Sequence, residues 1–166
     1  MLQRILPNEL LAAASLVLAL AALAAVLRGQ PHWGEVRPLV WLHLVAILFA
    51  TILTPVMLLR PKATRRHRQL GYVWFTAMLV AAASSLFFKV TSDPAGNWGV
   101  FSGNFSPIHI LSLWVLFQAP MIVLRARRHD RAGHESAVRG MVIGALLIAG
   151  FFTFPFGRML GSWLFA

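Results

Sequence analysis

Five apolar stretches of near-bilayer length, each closed off by breakers and charge, constrain this chain more than any single residue. They run from Leu10 to Leu27, Leu39 to Leu59, Leu70 to Phe88, Pro107 to Leu124, and from about Met141 to Gly157. Crossing the hydrocarbon core takes ~20 residues of helix. Lipid offers no water to satisfy peptide groups, so open spanning segments must be helical. The segments between them are GQPHWGEVRP, RPKATRRHR, TSDPAGNWGVFSGNFSP and RARRHDRAGHESAVR, rich in turn formers and charge. The expected fold is all-α: a polytopic membrane protein forming one transmembrane domain over residues 1–166. Its five transmembrane helices are expected at about 9–28, 38–59, 69–90, 107–125 and 132–160. Helices 2–5 are expected to form an antiparallel four-helix bundle, with helix 1 packed outside it. Asn8 is placed to cap helix 1, Pro107 suits a first turn, and Asp130 is placed to cap a polar extension of helix 5.

Composition agrees, with 58% apolar residues, 12% charged residues and a mean hydropathy of +0.72. Cysteine is absent, which excludes disulfides, thiolate metal sites, iron–sulfur clusters and cysteine nucleophiles. The net charge of +10 is no sign of nucleic-acid binding, because the basic residues lie in short clusters between apolar runs.

That clustering orients the chain. Arg60, Lys62, Arg65, Arg66 and Arg68 lie in one loop, Arg125, Arg127, Arg128, Arg131 and Arg139 in another, and Arg4 shares their side by alternation. Only Arg28, Arg37, Lys89 and Arg158 fall on the other side. The positive-inside rule then puts the N-terminus in the cytoplasm and the C-terminus outside. Trp33 and Trp98 in the outer loops, with Trp41, Trp114 and Trp163 near the outer interface, fit an aromatic belt. The first run is long for a signal-peptide core and its basic flank is thin, so it reads as a retained helix.

Against this background four histidines stand out, since ionisable groups within lipid are functional candidates. At 1.5 Å per residue, His43 lies roughly 6 Å and His109 roughly 3 Å inside the outer edges of helices 2 and 4. His67 and His134 share the inner side, ahead of the apolar runs of helices 3 and 5. Paired imidazoles on facing helices are what a six-coordinate haem b requires. Small residues for a porphyrin plane abound at Gly71, Ala81, Ala82, Ala83, Ser84, Ser85, Gly144 and Gly150. Arg37, or Arg66 and Arg68, could meet its propionates. The plainer alternatives are interhelical hydrogen-bonding for His43 and His109 and solvation for His67 and His134. His32 and His129 read as solvated loop residues.

The segments WLHLVAILFATILTPVMLLRP, HRQLGYVW, FSPIHILSLW and GMVIGALLIAGFFTFPFGRML, taken in order, resemble a bacterial family of small membrane proteins of unknown function. The resemblance covers roughly residues 36–161 and implies that His43, His67, His109 and His134 are hallmark positions. Glu135 and Ser136 depart from it, where the family is more basic. The helix order of the histidines is also similar to that of the transmembrane cytochrome b561 group, which implies one haem between helices 2 and 4 and another between helices 3 and 5. The expected function is therefore a b-type cytochrome-like electron carrier or oxidoreductase holding one or two haem b groups. His43 and His109 would be the outer axial ligands, and His67 and His134 the inner ones. A quinone or another redox protein would be its electron partner. The rivals are a non-haem metal or quinone site built from the same histidines, and an assembly or scaffold subunit without cofactor.

Other signals are weaker. Pro55 and Pro120 are expected to kink helices 2 and 4, and Gly140/Gly144 and Gly157/Gly161 have close-packing spacing. Gln118 is a candidate interhelical hydrogen-bonder, Arg158 a lipid-phosphate contact, and Asn104 begins a glycosylation tripeptide. Nothing resembles a phosphate loop, a nucleophile elbow or HExxH.

Overall fold

The structure is a computed structural model and describes residues 6–88, 107–155 and 157–165. The expectations for Arg4, Lys89, Trp98 and Asn104 lie outside the described residues. The described residues are helical, joined by turns, and contain no strand. The long helices are α1 (Asn8–Arg28), α2 (Pro38–Leu59), α3 (Arg65–Ser85) and α4 (Pro107–Arg127). Next comes α5, which starts as Arg131–Met141, widens into a π-helical stretch Val142–Ile148 and ends with Ala149–Phe151. A short α6 (Met159–Phe165) closes the chain.

Four helices are long and apolar enough to cross a membrane: Asn8–Arg28, Pro38–Leu59, Ile108–Arg127 and Arg131–Phe151. The helix α3 has spanning length but a more polar make-up. Its first turn is Arg65-Arg66-His67-Arg68, and Tyr72, Thr76, Ser84 and Ser85 follow.

Boundaries moved for identifiable reasons. The helix α3 begins at Arg65 rather than 69, because the Thr64 hydroxyl caps it by accepting from the His67 backbone N–H at 3.1 Å. It ends at Ser85, five residues short of the expected 90. Asp130 caps α5 as expected, its carboxylate accepting from Gly133 N–H at 2.9 Å. That helix stops at Phe151 instead of reaching 160. Pro155 cannot continue a helix, and Gly157 turns the chain with φ +66°. The expected cap of α1 is corrected too. Pro7 occupies the cap position, and the Asn8 side chain instead accepts from Arg139.

Interhelical bonds fix direction. His43 meets Ala81 and Trp74 meets Thr54, so α2 and α3 run antiparallel. Ser85 meets Ser112 and Arg127 meets Tyr72, which makes α3 and α4 antiparallel. His134 bonds to Ile122 and Arg125 to Gly133 beyond a short turn, so α4 and α5 are antiparallel neighbours. The first helix is not peripheral. It packs along α2, places Leu11 and Ala12 in the main core, and is held to α5 by Arg139 donating to Asn8 Oδ1 and Leu6 O.

The core gathers Trp74, Met78, Ala82, Val115, Ala119, Met141, Val142 and Leu146. Buried hydroxyls are satisfied locally: Ser15, Thr51, Thr54 and Ser112 each donate to the carbonyl four residues earlier. Large apolar side chains such as Val17, Leu20, Val45, Phe49 and Phe117 face outward, as a bilayer-facing surface requires.

Candidate functional site

The four histidines divide between the two ends of the helical array. At the end away from the basic loops, His43 is half-buried and rests against α3. Its Nδ1 lies 2.8 Å from the Ala81 carbonyl and 3.3 Å from Ser84 Oγ. A carbonyl can only accept, so Nδ1 carries the proton. The neutral ring then presents its lone pair at Nε2. Phe88 stands edge-on to the ring, with centroids 5.1 Å apart. His109 is 3% exposed on α4, one turn before Ser112. Ser112 shares a hydrogen bond with Ser85, the neighbour of Ser84. Adjacent serines on α3 thus reach His43 on one side and the His109 turn on the other.

At the basic end, His134 occupies the first turn of α5 and its Nδ1 lies 3.0 Å from the Ile122 carbonyl on α4. This ring too donates from Nδ1. His67 sits in the polar first turn of α3, ahead of the apolar run. Its Nδ1 is buried without a hydrogen-bond partner among the described residues. Burial lowers its pKa, and positive charge on Lys62, His134 and Arg60 lowers it further. Lys62 donates to the Met57 and Leu58 carbonyls at 2.8 and 2.7 Å, closing the end of α2. Burial lowers its pKa as well, opposed by the Glu135 carboxylate.

Most of the residues expected to make room for a porphyrin are engaged in packing, while Ala83 is exposed. A Cβ on Gly150 would meet Leu18 of α1, one on Gly144 would meet Trp114, and one on Gly71 would meet Met57. Ala81, Ala82, Ser84 and Ser85 are buried on α3. His32 is exposed beside Glu35 at 3.4 Å, and His129 is exposed with φ +58° in the turn before α5. No group of three or more histidine or carboxylate side chains suited to a metal ion occurs among the described residues.

Sequence reasoning missed the polar partners. In the sequence Ser84 and Ser85 stand out only as small residues, and nothing marks Ser112, although it lies one turn from His109. The Ala81 and Ile122 carbonyls could not be read from any side-chain pattern. The chemistry these partners leave open is nitrogen donation: two imidazoles have Nδ1 engaged by a carbonyl, which leaves Nε2 as the atom to donate a lone pair from a neutral ring. A ligating histidine is typically fixed in this way, its other ring N–H tied to a carbonyl or carboxylate. Comparison of the chain with protein-family models, curated proteins and solved structures finds no match.

Proposed function

We propose that this chain is an inner-membrane b-type cytochrome-like electron carrier whose helices cross the bilayer five times, with helices 2–5 as an antiparallel bundle. The observation that carries the reading is the pinned Nδ1–H of His43 and of His134. Each donates to a carbonyl of a neighbouring helix, leaving an Nε2 lone pair of the kind that ligates iron. The donor chemistry fits haem b: His43 and His109 would hold one group, and His67 and His134 a second. Bound haem would supply a one-electron carrier at a potential set by its axial ligands and surroundings. The chain's own work is to keep the imidazoles neutral, fix their tautomer and exclude water. In this reading the basic end faces the cytoplasm, α3 crosses as a more polar helix within the protein, and a quinone or redox protein exchanges the electrons.

The test is a reduced-minus-oxidised spectrum of protein purified after expression with haem supplied. The expected result is an α-band of bis-imidazole b-type haem, strongly diminished in His43→Ala and in His134→Ala. A colourless, folded preparation would overturn the proposal. Metal analysis of that preparation would then separate a bare metal site from histidines that only bond between helices.

A further inference from the structure

We propose that the basic end of the molecule holds a phosphate group between Arg60 and His67, where the turn after α2 meets the start of α3. Arg60 follows the last residue of α2, and its Nε is buried with no hydrogen-bond partner among the described residues. His67 Nδ1 is in the same condition. A buried polar atom left unpaired is costly, and no described residue supplies a partner to either of these two. They lie near each other: in the antiparallel pairing that sets Thr54 against Trp74, Arg60 at the end of α2 falls opposite the first turn of α3, where His67 sits.

The surroundings favour an anion as that partner. Lys62 is tied to the carbonyls of Met57 and Leu58, which fixes its charge at this turn instead of leaving it to wander in solvent. Glu135 opposes Lys62, yet Arg60 and the exposed Arg65, Arg66 and Arg68 leave the positive side in excess. The site is made by side chains and not by the helix end, because the His67 N–H is already taken by Thr64. A phosphate offers several strong acceptor oxygens, enough to serve a guanidinium and an imidazole N–H together. Its source is either the headgroup of an anionic phospholipid or free phosphate. The inference goes beyond the haem reading and does not need it, because it concerns the Nδ1 edge of His67 and the Arg60 guanidinium.

The experiment is thermal unfolding of the full chain in neutral detergent, with short-chain phosphatidylglycerol, short-chain phosphatidylcholine or inorganic phosphate added. A ligand that binds only the folded state raises the melting temperature in proportion to its occupancy. We expect phosphatidylglycerol to raise it above phosphatidylcholine, or phosphate to raise it above chloride at equal ionic strength. A response to phosphatidylglycerol alone identifies a lipid headgroup, and a response to phosphate as well identifies a site open to the free ion. The shift should vanish in R60Q and fall by about half in R60K, which keeps the charge and the fold but loses the planar fork. R158Q, an exposed arginine at the other end, should respond as wild type. Equal responses to both lipids with none to phosphate, or an undiminished shift in R60K, would overturn the inference. Pigment is read separately, so a colourless protein that passes this test sinks the haem reading alone.

Discussion

The same residue type is held in two different ways at the two ends of this molecule. At the end away from the basic loops, His43 is fixed by the Ala81 carbonyl and the Ser84 hydroxyl, and the His109 turn is reached through Ser85 and Ser112. At the basic end, His134 is fixed by the Ile122 carbonyl, and burial and nearby positive charge lower the pKa of His67. In the membrane reading proposed above, depth explains the contrast. In an apolar layer a histidine is satisfied cheaply by hydroxyls and spare carbonyl lone pairs, while an unpaired charge is expensive. Near the headgroups charges can be hydrated or countered, and the polar first turns of α3 and α5 collect them. The packing differs correspondingly: the first end is closed by tight backbone approaches, and the basic end by charged turns.

The largest stability difference between the ends should come from paired glycine substitutions. At Gly161 a Cβ would run into the Phe154 carbonyl, which belongs to the segment between α5 and α6. Gly161→Ala must shift backbone rather than a side chain, and overpacking of this kind costs about 3 kcal/mol. At Gly140, near the basic end of α5, a Cβ would meet nothing within 4 Å. Gly140→Ala should therefore be neutral or slightly stabilising, since alanine is the better helix former. Unfolding in mixed detergent micelles measures both. Equal losses would remove the contrast in packing between the two ends.

These glycines also show how far the sequence could be read. Spacing alone marked Gly140/Gly144 and Gly157/Gly161 as equivalent close-packing pairs. In the structure Gly161 lies against backbone, Gly144 makes ordinary contact with Trp114, Gly157 serves a left-handed turn and Gly140 is open. Spacing places residues on one face of a helix but does not say what lies opposite. Helix positions were legible because length, apolarity and breakers are local properties. The Asp130 cap was legible for the same reason. What stayed hidden was pairing across the chain: Asn8 with Arg139, His43 with Ala81, Ser85 with Ser112. The early end of α5 was marked by Pro155 and Gly157, yet the apolar run carried on through them and outweighed the breakers.

A second effect, smaller and at the basic end, concerns Arg139. Its guanidinium donates to the Asn8 side chain and the Leu6 carbonyl, so it clamps the start of α1 to α5. Hydrogen bonds from a charged donor contribute about 2 kcal/mol when one side is lost. Arg139→Ala should cost about that much and raise amide exchange in the first turns of α1, while exchange at Ala25, at the far end of that helix, stays slow. A uniform increase along α1 would mean that Arg139 holds the whole helix and not one end of it.

The smallest expected effect probes the serine link at the opposite end. Ser85 and Ser112 are buried and hydrogen-bonded to each other, and each also lies within bonding distance of a carbonyl of its own helix. In Ser85→Ala the Ser112 hydroxyl still has the Ile108 carbonyl, so no donor is orphaned and the loss should be about 0.5–1 kcal/mol. Ser112→Ala should cost a similar amount, because Ser85 keeps the Ala82 carbonyl. If the two hydroxyls act mainly on each other, the double variant will cost no more than either single one. Strict additivity would show that each serine answers only to its own helix, and that α3 and α4 are held at this depth by packing around His109 alone. Two hydroxyls with four acceptor lone pairs and only two protons cannot satisfy every contact at once, so coupling between them is the expected result.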